Sequence, residues 1–374
     1  MTTRRGASLA MWTYRQKRRR PTPTKARILQ VFSTLFILGA FVGFPVANGQ
    51  QSAPPSAPPS AQTPGQSEDQ DQSVETLKVS VNVVQLFFNV KDKRGTPINN
   101  LAKDDFEILE GGKPQTIKYF AAESNLPLTV GILIDSSGSQ ERVLHMEKQV
   151  GGEFLGEILR DKDLAFVLGF DVNVDLLQDF TSSVHALKTA LNSARINTAG
   201  GRAAGVPGLG GGAVPADILR GTLLYDAVYL ASHDELSHQV GRKAMILLTD
   251  GEDQGSQMKI NDAIEAAQKS DSIVYVLLCA DRGFYGSGEY SGLGKMKKLA
   301  QENGGRVIVV GNKIEKLKDA FHQIADELRS QYNIGYTSTN TTLDGTFRKV
   351  EIHAKDKHYR IQTRTGYYAV AKRD

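Results

Sequence analysis

Between Leu128 and Leu328, short apolar runs alternate with helix-length amphipathic stretches, and this constrains the fold of the 374-residue chain more than any other feature. The run Leu128–Ile134 (LTVGILI) is continuously apolar, the mark of a strand covered on both faces. The spacing after it predicts a helix over Arg142–Leu159, strands over Leu164–Phe170 and Val174–Leu177, and helices over Val184–Ala194 and Thr222–Leu236. Ala244–Leu248 is apolar again. Helix Ile260–Lys269, strand Ile273–Leu278, helix Lys295–Gln301, strand Arg306–Val310 and helix Ile314–Leu328 complete the series. Strands alternating with helices imply an α/β fold with a doubly wound, mostly parallel sheet. Ligands bind such sheets outside the carboxyl ends of the strands.

The flanks have a different texture. Val79, Val81 and Val83, then Leu86, Phe88 and Val90, alternate with a phase slip near Val83-Val84, which predicts a bulge or a sharp twist in a long strand. Asp92-Lys93-Arg94-Gly95 reads as a turn; Phe106–Leu109, Gly111-Gly112 and Thr116–Phe120 read as a hairpin. After the helices, Tyr332, Ile334 and Tyr336 alternate, Asp344-Gly345 marks a turn, and Val350, Ile352, Tyr359, Ile361 and Thr363 alternate again. Neither β piece makes a core alone. Chain ends tend to lie close together. Residues 76–124 and 331–370 are therefore expected to form one small β-sandwich-like domain, interrupted by the α/β domain at 125–330.

The formal charge of +4 is a sum over unlike parts. Residues 1–27 hold nine basic groups and no acid, which leaves 36 basic against 41 acidic groups, a net of −5, for the remainder. A mildly acidic body argues against a broad nucleic-acid-binding surface. Residues 28–46 (ILQVFSTLFILGAFVGFPV) are uncharged, and no charge follows until Glu68. The positive-inside rule then places residues 1–27 in the cytoplasm and the body across the membrane, either periplasmic, membrane-anchored or secreted. Two readings of 28–46 stand: a signal peptide ending near Ala47-Asn48-Gly49, or a membrane anchor, since about 20 residues span the hydrocarbon core. Contact with the membrane is expected through this segment only. Residues 47–75, rich in Gln, Ser, Pro and Ala, read as a spacer too poor in apolar side chains to fold.

A single cysteine, Cys279, excludes an internal disulfide framework and any Cys-rich metal site, and its place after an apolar run predicts a buried, inert thiol. Chemistry concentrates elsewhere. Asp135-Ser136-Ser137-Gly138-Ser139 lies at the carboxyl end of the first predicted parallel strand. Its D-x-S-x-S spacing puts a carboxylate and two hydroxyls on one tight loop, an oxygen-only set suited to Mg²⁺, Mn²⁺ or Ca²⁺. With one nearby carboxylate, such a centre favours an anionic outside ligand. Asp and Ser before a helix also serve as ordinary N-caps. Asp250 follows the apolar strand at Met245–Leu248 in Thr249-Asp250-Gly251-Glu252-Asp253, and Thr222 opens a helix on a loop able to reach the same rim.

Together these three elements, in this order, resemble the metal-ion-dependent adhesion site of von Willebrand factor A domains over roughly 126–330. The flanks, including Leu101–Phe106, Glu110-Gly111-Gly112, Tyr332–Tyr336 and Arg364-Thr365-Gly366-Tyr367, look like the related family catalogued mainly from acidobacteria. The resemblance implies an exported, non-enzymatic binding module. Ser137, Ser139 and Thr222 would then offer hydroxyl ligands to a divalent cation, most simply Mg²⁺. Asp135 and Asp250 would bind directly or through water, and the sixth position would be left to an Asp or Glu carboxylate of a partner protein. Asp226, one turn after Thr222, either orients the loop or is a helix-surface acid. Glu252 and Asp253 read as solvated turn acids.

The chain departs from a compact A domain at 200–212, where seven of 13 residues are glycine. This makes Thr222 the least constrained ligand of the set. Gly208–Ala213 mimics a dinucleotide fingerprint but lacks the βαβ context. Two alternatives to a metal-dependent module remain. One is a structural envelope subunit without metal-dependent binding. The other is a serine hydrolase on Ser137 or Ser139, against which stand the lack of a G-x-S-x-G elbow and of any histidine in a nucleophile setting.

Overall fold

The structure, a computed structural model, describes residues 83–122, 126–196, 221–280 and 292–369, all within the unit Thr76–Asp374. The expectations for 1–27, 28–46 and 47–75 lie outside the described residues, as does the glycine-rich stretch 200–212. Among the described residues no bulge appears at Val83-Val84: Val83–Phe88 pair with Tyr332–Thr337 in unbroken register. No helix among the described residues is long and apolar enough to cross a membrane.

At the centre lies a six-stranded sheet. Its strands are β5 (Leu128–Asp135), β6 (Leu164–Phe170), β7 (Val174–Thr181), β8 (Arg242–Thr249), β9 (Ser272–Leu278) and β10 (Val307–Val309), in the order β10-β9-β8-β5-β6-β7. Every neighbouring pair is parallel except β6 and β7. All eight residues of β5 and all eight of β8 are buried. Alternate side chains feed opposite cores. Val130, Ile132 and Ile134 of β5, with Ala244, Ile246 and Leu248 of β8, pack against α1 (Leu144–Ile158), α2 (Val184–Ser193) and α6 (Ile314–Arg329). Leu133, Met245 and Leu247 face α3 (Leu224–Leu230), α4 (Ile260–Lys269) and α5 (Leu293–Glu302) instead. The α/β class and the doubly wound sheet therefore stand.

Several elements differ from the sequence reading. The helix expected over Thr222–Leu236 starts at Leu224 and passes into a π-helical turn at Ala231–Glu235, where Ser232 Oγ donates to the Val228 carbonyl. Such a bond competes with the backbone ladder. The predicted hairpin arm at Thr116–Phe120 is split: β3 (Lys113–Gln115) pairs with β2 (Phe106–Glu110), whereas β4 (Ile117–Ala121) crosses to another sheet. Alternation of burial is unbroken across this corner, with Gln115 and Ile117 inside and Thr116 between them exposed.

Strands from before and after the α/β portion pair with each other. One four-stranded sheet has the order β13-β1-β11-β4, with β1 at Val83–Lys91, β11 at Tyr332–Thr337 and β13 at Arg360–Gln362. The other has the order β14-β12-β2-β3, with β12 at Phe347–Ala354 and β14 at Gly366–Tyr368. Leu86, Phe88, Phe106, Ile108, Tyr332 and Ile334 are among the residues of their shared core. Phe88 meets Phe106 edge-on at 5.1 Å and stacks on Tyr332 at 5.3 Å.

A buried acid joins the two parts. Glu327 of α6 is 3% exposed and accepts from Lys91 Nζ at 2.7 Å, Arg306 Nε at 2.8 Å and Gln362 Nε2 at 3.1 Å. Its carbonyl takes Asn89 Nδ2 at 2.6 Å. Removing one member of a buried ionic cluster strands the others. Glu327→Ala is expected to lower unfolding free energy by about 3–5 kcal/mol, read as a drop in the urea midpoint. Gly131 of β5 supplies a second test. A Cβ there would sit 2.4 Å from the Phe166 ring on β6. Overpacking of this kind costs about 1–3 kcal/mol, so Gly131→Val should show that loss in the same measurement.

Candidate metal centre

Because β5 and β8 are buried along their length and adjacent, their carboxyl ends bring Asp135 and Thr249-Asp250 to one rim. Asp135 is fully buried and committed on both oxygens. Oδ1 accepts the Ser137 amide at 2.9 Å and Oδ2 accepts Thr249 Oγ1 at 2.7 Å. Thr249 Oγ1 in turn accepts the amide of Gly251 at 3.0 Å, so one hydroxyl fixes both loops. Ser137 Oγ and Ser139 Oγ lie 3.0 Å apart, and Ser139 Oγ donates to Asp250 Oδ2 at 2.5 Å. Four of the five candidate ligands are thus linked in one chain, Asp135–Ser137–Ser139–Asp250. The serine hydroxyls bond each other and a carboxylate, not an imidazole.

Gly251 makes the turn after Asp250 with φ of +86°, a left-handed conformation that glycine adopts without strain. The backbone at Gly292 packs so closely against it that a Cβ there would fall 2.1 Å from the Gly251 carbonyl oxygen.

Thr222 reaches the rim differently. It is 6% exposed, and its amide and carbonyl exchange hydrogen bonds of 2.9 Å with Gln254, four residues beyond Asp250. On the other side, Leu223 N donates to the Asp171 carbonyl at 2.8 Å, and Asp171 Oδ2 accepts Ser136 Oγ at 3.3 Å. The Thr222 backbone is therefore pinned between the Asp135 loop and the Asp250 loop. Among the described residues no hydrogen bond joins its hydroxyl to the other four.

Acids outside the five hold these loops. Asp226 accepts the amides of Gln257 at 3.1 Å and Met258 at 2.8 Å, so it orients the loop after Asp250. Asp253 is not merely a solvated turn acid. It accepts the Tyr225 amide at 3.2 Å and Ser256 Oγ at 2.5 Å at the start of α3. Thr249, Asp171 and Ser256 escape the sequence reading. Only Thr249 carries a signal, as a hydroxyl directly preceding the rim aspartate.

Burial, and then the Asp250 carboxylate, push the Asp135 carboxyl up to about 7. A buried carboxyl whose charge its neighbour disfavours, set among serine hydroxyls and a second carboxylate, makes an oxygen-only donor set that fits a hard divalent cation. Asp135, Ser137, Ser139 and Asp250 would hold it, with Thr222 from the adjoining loop.

A third acid lies beneath. Glu147 of α1 is fully buried, and its carboxyl is pushed well above the usual range. Burial is the main cause; the Cys279 thiol opposes it, and the charges of Asp135 and Asp250 add to it. Cys279 is itself buried, its thiol raised by burial and then by Glu147. A carboxyl whose folded value is raised keeps its proton where the unfolded chain has lost one. Stability is then greatest below the unfolded value of about 4.3 and declines as pH rises above it. In cation-free buffer, unfolding free energy should fall with rising pH. Glu147→Gln should flatten that slope by up to about 1.4 kcal/mol per pH unit, checked by urea titrations at stepped pH.

No protein-family model matches the chain, and no curated protein does. Solved structures do show likeness. The conserved hypothetical protein BatB from Bacteroides thetaiotaomicron is 21% identical, over 54% of this chain and 100% of its own, with a TM-score of 0.41. A von Willebrand factor type A structure from Catenulispora acidiphila is 14% identical, over 78% of this chain and 74% of its own, with a TM-score of 0.42. Proximal thread matrix protein 1 of the mussel byssus, whose MIDAS motif holds zinc, is 14% identical, over 63% of this chain and 50% of its own, with a TM-score of 0.43. With TM-scores below 0.5, these likenesses carry no weight for function; strand order and site geometry do.

Proposed function

We propose that the α/β portion is a divalent-cation-dependent protein-binding module of the von Willebrand factor A kind, acting outside the cytoplasm as an adhesive or scaffolding unit. One observation carries the reading. At the rim where doubly wound sheets bind ligands, hydrogen bonds through the Ser137 amide and the Ser137 and Ser139 hydroxyls bring the oxygens of Asp135, Ser137, Ser139 and Asp250 together.

A cation held there, Mg²⁺ in the simplest case, would supply a positive point charge able to accept an external carboxylate. The chain's own residues do the rest. Thr249 and the Ser137 amide hold Asp135 in one orientation. Ser139 spaces Asp135 from Asp250, and Asp226 with Asp253 braces the loops that carry Asp250 and Thr222. The partner group is an Asp or Glu side chain offered by another protein. Basic residues 1–27 and the apolar segment 28–46 suit a module delivered across a membrane.

Metal binding is tested first without any partner. Mg²⁺ at one hundred times its dissociation constant should stabilise the chain by about 2.7 kcal/mol, seen as a rise in Tm that EDTA reverses. Asp135→Asn and Asp250→Asn should remove that rise while leaving the circular dichroism spectrum unchanged. Partner capture from envelope extract should then require Mg²⁺. Stabilisation and capture that persist in EDTA would overturn the proposal.

A further inference from the structure

We propose that a second binding site lies at the opposite end of the central strands, in a cleft built around Lys243, and that it takes a small carboxylate carrying a hydroxyl or amino donor. It does not rest on the reading of the rim. Lys243 stands at the start of β8 and Asp250 just beyond its end. At about 3.3 Å per residue the two are separated by roughly 23 Å.

The cleft has a volume of about 340 Å³, in the range of small-molecule sites. Phe87 of β1, Ile273 of β9 and Val240 give it apolar walls, so it is shared between the sandwich and the α/β portion. Val240 is 81% exposed, an apolar side chain kept at the mouth with little packing of its own.

Two polar groups in this cleft lack the partners that their burial calls for. Lys243 is 9% exposed, and its ammonium makes one hydrogen bond among the described residues, to the Gln239 carbonyl at 3.1 Å. An ammonium has three donors. The acid whose charge bears on it is already taken: Asp271, in the left-handed region at φ +56°, pairs with the Arg364 guanidinium. Arg364 is committed as well, since it also donates to the carbonyls of Gln85 at 3.0 Å and Gln268 at 3.3 Å. Lys243 is thus left as the buried cation without an acid of its own. Burial lowers its amine from the ordinary lysine value, Asp271 raises it and Arg364 lowers it further.

Asn303 lines the same cleft at 1% exposure. Its Nδ2 donates to the Leu299 carbonyl at 2.8 Å, while Oδ1 is buried with no partner. A cation that needs an acceptor and an amide oxygen that needs a donor, beside apolar walls, describe a ligand with a carboxylate, an adjacent hydroxyl or amine, and a short apolar tail. Phosphate satisfies the first requirement but offers nothing to the apolar walls.

Purified full-length chain is titrated with L-2-hydroxyisocaproate, L-leucine, acetate and inorganic phosphate, in EDTA, with Tm and isothermal calorimetry as readouts. A saturable rise in Tm with the hydroxy or amino acid is expected, with acetate and phosphate at least tenfold weaker. Lys243→Met should abolish it and Asp135→Asn should leave it unchanged. Should Lys243→Met not fold, Val240→Trp, a change at an exposed position, blocks the mouth and should weaken binding at least tenfold. The proposal is overturned if neither acid binds, if phosphate binds best, or if a folded Lys243→Met or Val240→Trp protein binds as the parent does.

Discussion

Two adjacent strands buried on both faces, β5 and β8, dictate where polar chemistry can be placed. All eight residues of each strand face helices or loops rather than water. A charged side chain in their middle would meet an apolar core and incur a desolvation cost of several kcal/mol. Charge is therefore pushed to the ends. Asp135 and Asp250 appear at the carboxyl ends, and Arg242 and Lys243 at the amino ends. The acid-rich rim and the lysine-centred cleft are two outcomes of one packing constraint, with the apolar pleat between them acting as an insulator.

Much of the central sheet is legible in the sequence because strands such as β5, β6 and β9 are short, nearly unbroken apolar runs. Leu128–Ile134 needs no tertiary information to be read as a covered strand. What escapes is whatever depends on a partner distant in sequence. The crossing of the chain from one sheet to another at Thr116 leaves no local mark, since Gln115 and Ile117 are each an ordinary strand residue. The π-helical turn at Ala231–Glu235 depends on a serine bonding back to a helix carbonyl, a choice that Ser232 does not announce.

The same division runs through the site. Asp135, Ser137, Ser139 and Asp250 are visible because they sit where strands end, and strand ends can be read from hydropathy. Thr222 is found by resemblance and its backbone is bonded to Gln254 beyond Asp250, yet its hydroxyl stands apart from the chain that joins the other four. Asp253 has the look of a turn acid, because its bonds to Tyr225 and Ser256 exist only once two loops meet. Glu147 gives no warning at all. On an amphipathic helix an acid is normally drawn to the solvent side, and nothing in the pattern at Leu144–Ile158 shows that this one turns inward.

The interleaving of β1 with β11 bears on the order in which the chain can fold. Val84 sits opposite Tyr336 in the ladder, so about 250 residues separate two strands that share a sheet. Closing a loop of that length is entropically costly before any contact offsets it. The α/β portion has all its own strands well before then and can collapse on local pairings. β1 waits, a run of Val, Leu and Phe with both edges unpaired, until the strands after α6 supply its neighbours. That makes β1 the segment most exposed to intermolecular strand pairing during synthesis and refolding. It also makes the far carboxyl end, which contributes nothing to the rim at Asp135 and Asp250, the part whose loss leaves the first strand without a sheet.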